Sequence, residues 1–222
     1  MAWYLNKCIA VAVNTLSLGD RIEKATDARN FSSHCPEACN VDALSVKLRG
    51  MFLKSQGLSA RPPPFSSTEF RTALGMFATG VTIVTARAPD GHLVGLTANS
   101  FNSVSLAPPL VLWSLSQAAS SMEAFRKGSH YAINILAADQ QALALRFATR
   151  GADRFADVEF VEGACGAPLL AGAVATFECF NRSRYTEGDH VIFVGEVEHC
   201  AHRPGVSPLL YHGGKFFTEH PL

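Results

Sequence analysis

Three stretches of the chain carry residues whose types and spacing could do chemistry. Thr97-Ala98-Asn99-Ser100-Phe101-Asn102-Ser103-Val104-Ser105 gathers hydroxyl and amide side chains with no charged residue among them. Hydroxyls, amides and free backbone N–H groups can together hold a phosphate and a polyol chain without lysine. A loop making local turns is the commoner source of such composition, although Pro108 and Pro109 pin the exit of this one. Gly188-Asp189-His190 puts an imidazole at a tight turn, where it can donate to a ligand or titrate near neutrality; the competing reading is a hairpin tip whose polar groups satisfy the turn. Tyr211-His212-Gly213-Gly214-Lys215-Phe216 sets an aromatic beside two glycines, so a planar ligand could stack where backbone approaches closely. A bulged strand would need the same glycines. Arg146, Arg150 and Arg154 recur every four residues around a helix end, a pattern of a solvated face that could equally meet a phosphate.

Other chemistries lack their residues. There is no G-x-G-x-x-G after a strand, no Walker-type loop, no H-E-x-x-H and no G-x-S-x-G. His34-Cys35 with Cys39 has metal-ligand spacing but no second pair to complete a site. His199 and His202 are three apart on a presumed strand and point to opposite faces. No metal centre is expected.

The elements that must position these residues are mostly strands. A helix is predicted over 67–77, capped by Ser67 or Thr68, with Phe70, Leu74 and Phe77 on one face. Strands at 80–87 and 92–97 flank the Pro89-Asp90-Gly91 turn as a hairpin. A buried strand follows at 110–115, then a helix at 120–127 capped by Ser120 and stopped by Gly128, then a strand at 130–136. Asp139 is expected to cap a helix through Thr149 with Leu143, Leu145 and Phe147 inward, ended by Gly151. Long strands at 174–185 and 191–200 meet at Glu187-Gly188-Asp189, and a single last strand covers 209–217. Hairpin-linked strands exclude a parallel sheet, which needs a helical crossover each time, and favour an antiparallel barrel whose closure removes exposed edges.

Composition sets the outer bounds. The 222 residues are 48% hydrophobic and 17% charged, with 19 Lys+Arg against 19 Asp+Glu, so the chain can bury a core and presents no excess of cations to a nucleic acid. No apolar run reaches the ~18 residues that span a bilayer, and the short run at 8–13 is read as non-targeting. Six cysteines without a C-x-x-C pair read as reduced thiols of a cytoplasmic protein. The character of the chain changes at Arg61-Pro62-Pro63-Pro64, three prolines that can neither continue a helix nor donate to a ladder. Residues 1–65 are therefore expected to be an N-terminal extension and Pro-rich linker, poorly ordered or partly helical, and residues 66–222 one domain. The break also motivates the expectation that translation begins at Met51.

In their order and on these strands, the clusters resemble the flavin reductase family with the FMN-binding split-barrel fold, which includes reductase components of two-component monooxygenases. The matching stretches are Phe77-Ala78-Thr79-Gly80-Val81-Thr82-Ile83-Val84-Thr85, the run from Gly95 through Pro108-Pro109-Leu110-Val111, Gly188-Asp189-His190, and Tyr211-His212-Gly213-Gly214-Lys215-Phe216. The resemblance implies a mainly β protein, an antiparallel split β-barrel with short peripheral helices. It implies FMN or FAD as cofactor and NADH or NADPH as co-substrate, with hydride passing from the nicotinamide C4 to the flavin N5. It assigns Thr97, Ala98, Asn99, Ser100 and Ser103 to the flavin phosphate, ribityl chain and ring edge, and Thr79 and Val81 to the neighbourhood of the isoalloxazine. Ser114, Ser116 and Ser120 would contact the flavin tail, helped by a helix N-terminus, with Phe147 and Arg154 from the second helical region. His190, carried by Gly188 and Asp189, would sit by the nicotinamide, and Tyr211 would line the same mouth. The resemblance also implies a homodimer that hands diffusible reduced flavin to a monooxygenase. Two alternatives remain at this level: a bound flavin that reduces another acceptor, such as a corrinoid or metal complex, and a flavin- or haem-binding barrel without turnover.

Overall fold

The computed structural model of the protein describes residues 63–151 and 153–220. The expectations placed on residues 1–62, including the 8–13 run, the His34/Cys35/Cys39 grouping and a start at Met51, lie outside the described residues.

The first described element is helix α1 (Ser67–Gly75). Its cap is Ser66 rather than Ser67 or Thr68: Ser66 Oγ accepts from Glu69 N at 3.1 Å while Glu69 Oε2 accepts from Ser66 N at 2.7 Å. This reciprocal pair satisfies two N–H groups that the helix start leaves without partners. The apolar residues that the sequence sets on one helical face are exposed, with Phe70 at 51%, Leu74 at 57% and Phe77, past the end of the helix, at 71%.

The remaining chain forms a short strand β1 (Thr79–Gly80) and then β2 (Thr82–Arg87), β3 (Leu93–Ala98), β4 (Asn102–Leu106) and β5 (Pro109–Ser116). Helix α2 (Met122–Lys127), strand β6 (His130–Ile135), a 3-10 turn at Ala138–Gln140 and helix α3 (Gln141–Ala148) follow. They lead into β7 (Phe160–Glu162), β8 (Pro168–Leu170), the long pair β9 (Ala175–Glu187) and β10 (His190–His202), and the last pair β11 (Leu209–His212) and β12 (Lys215–Thr218). Seven strands make one antiparallel sheet in the order β3-β2-β6-β9-β10-β5-β4; β1-β11-β12 and β7-β8 form two small sheets.

The sheet order dictates a barrel. Its two edges, β3 and β4, are consecutive in sequence, joined only by Asn99, Ser100 and Phe101. Strands ~4.8 Å apart would put the edges of a flat seven-stranded sheet roughly 29 Å apart. The connector, four Cα steps from Ala98 to Asn102, reaches about 14 Å at full stretch. The sheet must curl until the edges approach, and because β3 and β4 do not pair, the barrel stays split there.

β2 is buried on both faces, which explains its unbroken apolar and threonine run. Val84 and Ala86 face a core built around Trp113, Phe125, Tyr131 and Phe193, in which the Trp113 and Phe193 rings stack at 4.8 Å. Ile83 and Val81 face a second core with Leu136, Ala144, Phe147, Leu170 and Leu209. Thr82 and Asn134, both buried, are paired: Thr82 Oγ1 donates to Ala98 O at 2.7 Å, and Asn134 links β2 and β8 through Ile83 O at 3.1 Å and Leu170 N at 2.9 Å.

Several sequence expectations change. The Asn/Ser run read as a loop contributes β4, because pairing with β5 outweighs its weak strand propensity. α2 begins at Met122 with Ser121, not Ser120, at its N-cap, and no side chain caps it. A 3-10 turn precedes α3, so Asp139 is not its cap; Ala144 packs inward while Leu145 is 50% exposed. The single strand expected over 209–217 is a hairpin, turned by Gly213 and Gly214 at φ of 56° and 82°. The Gly213 N–H also donates to Gly75 O at 2.8 Å and so closes the end of α1. β7 and β8 are additional to the expected elements.

Gly195 on β10 faces the aromatic core so closely that an added Cβ would collide with the Tyr131 hydroxyl and lie 2.9 Å from Cys179 Cβ. Gly195→Ala is expected to destabilise the fold by ~1–3 kcal/mol, the usual penalty of overpacking. Urea unfolding measures it; a midpoint equal to that of the unsubstituted protein would contradict this packing.

Candidate functional site

The split opens into a cleft of about 650 Å³. Its floor is the end of β3 and the connector: Leu96, Thr97, Ala98, Asn99 and Ser100. One wall is the end of β5 with the turn into α2, where Ser114, Ser116, Ser120 and Ser121 alternate with Leu115, Ala118 and Ala119. The other is the end of α3 and the loop beyond it, with Phe147, Ala148, Arg150, Gly151 and Arg154; His190 stands at the rim.

Two hydroxyls hold these walls in place. Thr97 Oγ1 donates to Ala144 O at 2.6 Å, docking α3 against β3. Ser100 Oγ accepts from Ser114 N at 3.0 Å and donates to Ser114 O at 3.3 Å, tying the connector to β5 across the split. The side chains of Asn99, Ser114, Ser120 and Arg150 make no hydrogen bond among the described residues, so their donors are available to a ligand.

Close packing sets the arginine wall. A Cβ on Gly95 would come within 2.7 Å of Phe147 Cε1 and 3.3 Å of Phe155 Cζ, so only glycine lets Phe147 lie against β3. Arg154 Nη1 donates to the Gly95 carbonyl at 2.6 Å, and its Nε and Nη2 donate to Thr149 O at 3.3 and 3.1 Å. Arg146 is occupied outside the cleft lining, donating to Ala156 O at 2.5 Å.

The rim histidine is set by the β9–β10 turn. Gly188, at φ 59°, and Asp189 form a two-residue tip, with Glu187 opposite His190. Gln117 anchors that tip, its Nε2 donating to Gly188 O and its N–H to Asp189 O, both at 2.9 Å. His190 therefore pairs across the ladder with Ser116. Its Nδ1 lies 2.7 Å from Asp189 Oδ1, and this hydrogen bond, with the attraction to His190, holds the Asp189 carboxyl below its ordinary pKa.

The cleft thus gathers Thr97, Ala98, Asn99, Ser100, Ser114, Ser116, Ser120, Phe147, Arg154 and His190. Other residues named from the sequence lie elsewhere. Thr79 pairs with Tyr211 in the three-stranded sheet; Val81 is buried in the second core, against which Tyr211 also packs. Ser103 is exposed on β4 opposite Val111. Gly188 and Asp189 carry His190 without lining the cleft. The Ala118-Ala119-Ser120-Ser121 turn was only partly legible: its signal is a run of small residues directly after a strand, which admits a ligand against backbone. Arg150 was visible only as one member of a four-residue series.

Among the described residues the lining contains no Asp or Glu but includes two arginines and a histidine beside hydroxyl and amide donors, which fits an anionic, hydroxylated ligand. Leu96, Leu115 and Phe147 supply the apolar surface that a flat ring needs. Among the described residues no three His, Cys, Asp or Glu side chains could share a metal ion. Burial pushes the thiols of Cys165 and Cys179 up to about 11 and about 12, so neither is a nucleophile near neutral pH. No helix among the described residues is long and apolar enough to cross a membrane.

A fold and cleft of this kind define a class. Residues 74–220 match the flavin reductase-like domain, and the chain belongs to that family of oxidoreductases with the split-barrel fold. It is 48% identical over 151 residues to the FMN reductase (NADH) SmoA of Agrobacterium fabrum, covering 68% of this chain and 85% of that protein. It is 42% identical to the reductase component of the flavin-dependent trigonelline monooxygenase of Acinetobacter baylyi, where the match covers 68% of this chain but 48% of the relative. The structure of the Streptomyces globisporus NADH:FAD oxidoreductase SgcE6, in complex with NAD and FAD fragments, superposes with a TM-score of 0.68 at 39% identity, covering 73% of this chain and 98% of that one.

The clamp made by Arg154 can be tested alone. Arg154→Met keeps the apolar stem and removes the donors to Gly95 and Thr149. Charge-assisted hydrogen bonds of half-buried groups suggest a loss of ~1–3 kcal/mol. A lower urea midpoint with unchanged slope is expected; an unchanged midpoint would show that the clamp does not hold the wall.

Proposed function

We propose that the chain is an NADH-dependent flavin reductase that supplies reduced FMN or FAD to a partner monooxygenase. The observation that carries this reading is the cleft at the split, where hydroxyls, an amide and guanidinium groups stand beside the apolar surfaces of Leu96, Leu115 and Phe147 with no Asp or Glu among the described lining residues. The names of the relatives support NADH as reductant and a flavin-dependent monooxygenase as consumer of the product.

A bound flavin supplies the acceptor for the hydride of reduced nicotinamide. The residues of this chain bind and orient. Asn99, Ser114, Ser116 and Ser120 would donate to the hydroxylated chain, and Leu96, Leu115 and Phe147 would pack on the ring and exclude water. Thr97, Ser100 and Arg154 act one step back, holding the floor and wall through their bonds to Ala144, Ser114, Gly95 and Thr149. His190, with Nδ1 engaged by Asp189, keeps Nε2 for the second nucleotide at the rim. Val81 and Tyr211 would contribute through the second core beneath α3, Thr79 through its pairing with Tyr211, and Gly188 and Asp189 through the placement of His190. The exposed apolar side chains of α1, Phe70 and Leu74, and of Met76 and Phe77 just beyond it, support a homodimer.

Oxidation of NADH with and without added FMN tests the proposal. Turnover that saturates in added flavin is expected; tightly bound yellow cofactor without turnover would instead indicate a binding protein. His190→Ala is expected to lower kcat/KM for NADH about tenfold while changing flavin affinity less than about twofold. Unchanged NADH kinetics would remove the histidine from that role.

A further inference from the structure

Among the described residues, the guanidinium of Arg150 lines the cleft without serving the fold. Of the arginines spaced by four, Arg146 is bonded to Ala156 O and Arg154 to the carbonyls of Gly95 and Thr149. Arg150 has no hydrogen bond or ion pair among the described residues, yet it lines the cleft, and no carboxylate of the lining offsets it. Thr149 leaves the helix in extended conformation at ψ 135°, Gly151 turns at φ 73°, and the Arg154 clamp on Thr149 O braces the turn from below.

A free guanidinium in a concave, acid-free site has two physical consequences. The low-dielectric walls focus its field into the cleft. Its planar fork matches two phosphate oxygens at once, which a hydroxyl or a polyol chain does not do. The serine wall, in contrast, offers neutral donors that serve a sugar-like chain with or without a phosphate.

We propose that Arg150 is the specificity-determining residue that makes this cleft select phosphorylated flavins, FMN and FAD, over unphosphorylated riboflavin. The proposal rests on the flavin reductase reading above and adds to it a substrate choice and the side chain that makes it. The pyrophosphate of the nicotinamide dinucleotide has the same chemistry, so the test must separate the two sources.

Fluorescence titrations of the full chain with FMN and with riboflavin measure selection without requiring turnover. The unsubstituted protein is expected to bind FMN about tenfold or more tightly than riboflavin, the scale of one charge-assisted hydrogen bond. In Arg150→Gln this ratio is expected to fall to within about twofold, and Arg150→Lys, a point charge without the fork, to retain part of it. Inorganic phosphate should compete with FMN in the unsubstituted protein and much less in Arg150→Gln. Because Arg150 is exposed and bonds nothing within the described chain, its substitution should leave the unfolding midpoint in place. A preference ratio unchanged in Arg150→Gln overturns the proposal. So does a raised KM for NADH with an unchanged FMN-to-riboflavin ratio, which would assign the guanidinium to the nicotinamide phosphates. Binding of neither flavin would overturn the flavin reductase reading itself, and a flavin-binding protein that never prefers FMN would overturn only the role of Arg150.

Discussion

Three residues, Asn99, Ser100 and Phe101, separate the two edges of a seven-stranded sheet, and most of this architecture follows from that short reach. A flat sheet would hold β3 and β4 about twice as far apart as the connector can span. Curling brings them together, yet the bend leaves the edges unpaired and the barrel open. Ser100 compensates at that point: its hydroxyl exchanges hydrogen bonds with the backbone of Ser114, satisfying groups on β5 beside the opening. The cleft is thus a direct product of closure. Its floor is the connector, and its walls are whatever the neighbouring strands present at the same end.

The walls differ in how they are held. On the serine side, main-chain pairing does the work, since β10 pairs with β5 from Glu196 to His190 and delivers the imidazole opposite Ser116. On the arginine side, α3 and its loop are docked by Thr97 on Ala144, by the glycine gap that admits Phe147, and by Arg154 reaching two carbonyls. Charged side chains four residues apart therefore take different tasks. Arg154 builds the wall, while Arg150 leaves its charge in the cleft. No Asp or Glu stands among the described residues that line the cleft, so the zero net charge of the whole chain coexists with a locally cationic lining.

Much of this was legible in the residue order, for physical reasons. β2, β3, β5, β6, β9 and β10 announce themselves through β-branched runs broken by Pro-Asp-Gly, Pro-Pro and Gly-Asp signals, and the hairpin links exclude parallel pairing. β4 was hidden because its Asn, Ser and single Val have weak strand propensity and its pairing is interrupted between Ser103 and Ser105. The apolar stripe of α1 has helical period but lies on the surface; periodicity identifies a face without naming what covers it. Within the site, strand alternation cannot tell which core a residue joins, so Thr79, Val81 and Tyr211 could not be separated from the cleft in advance. The division between Arg150 and Arg154 was likewise invisible, because α3 ends at Ala148 and a spacing of four no longer defines one face beyond it.

The proposed flavin site is the opening beside the β3–β4 connector. Amide hydrogen exchange of the full chain with and without FMN examines it segment by segment. Adding FMN is expected to protect three stretches, 96–100, 114–121 and 147–154, with little change around Thr79 and Tyr211 in the three-stranded sheet. Protection confined to that sheet, with the connector and both cleft walls unaffected, would contradict it.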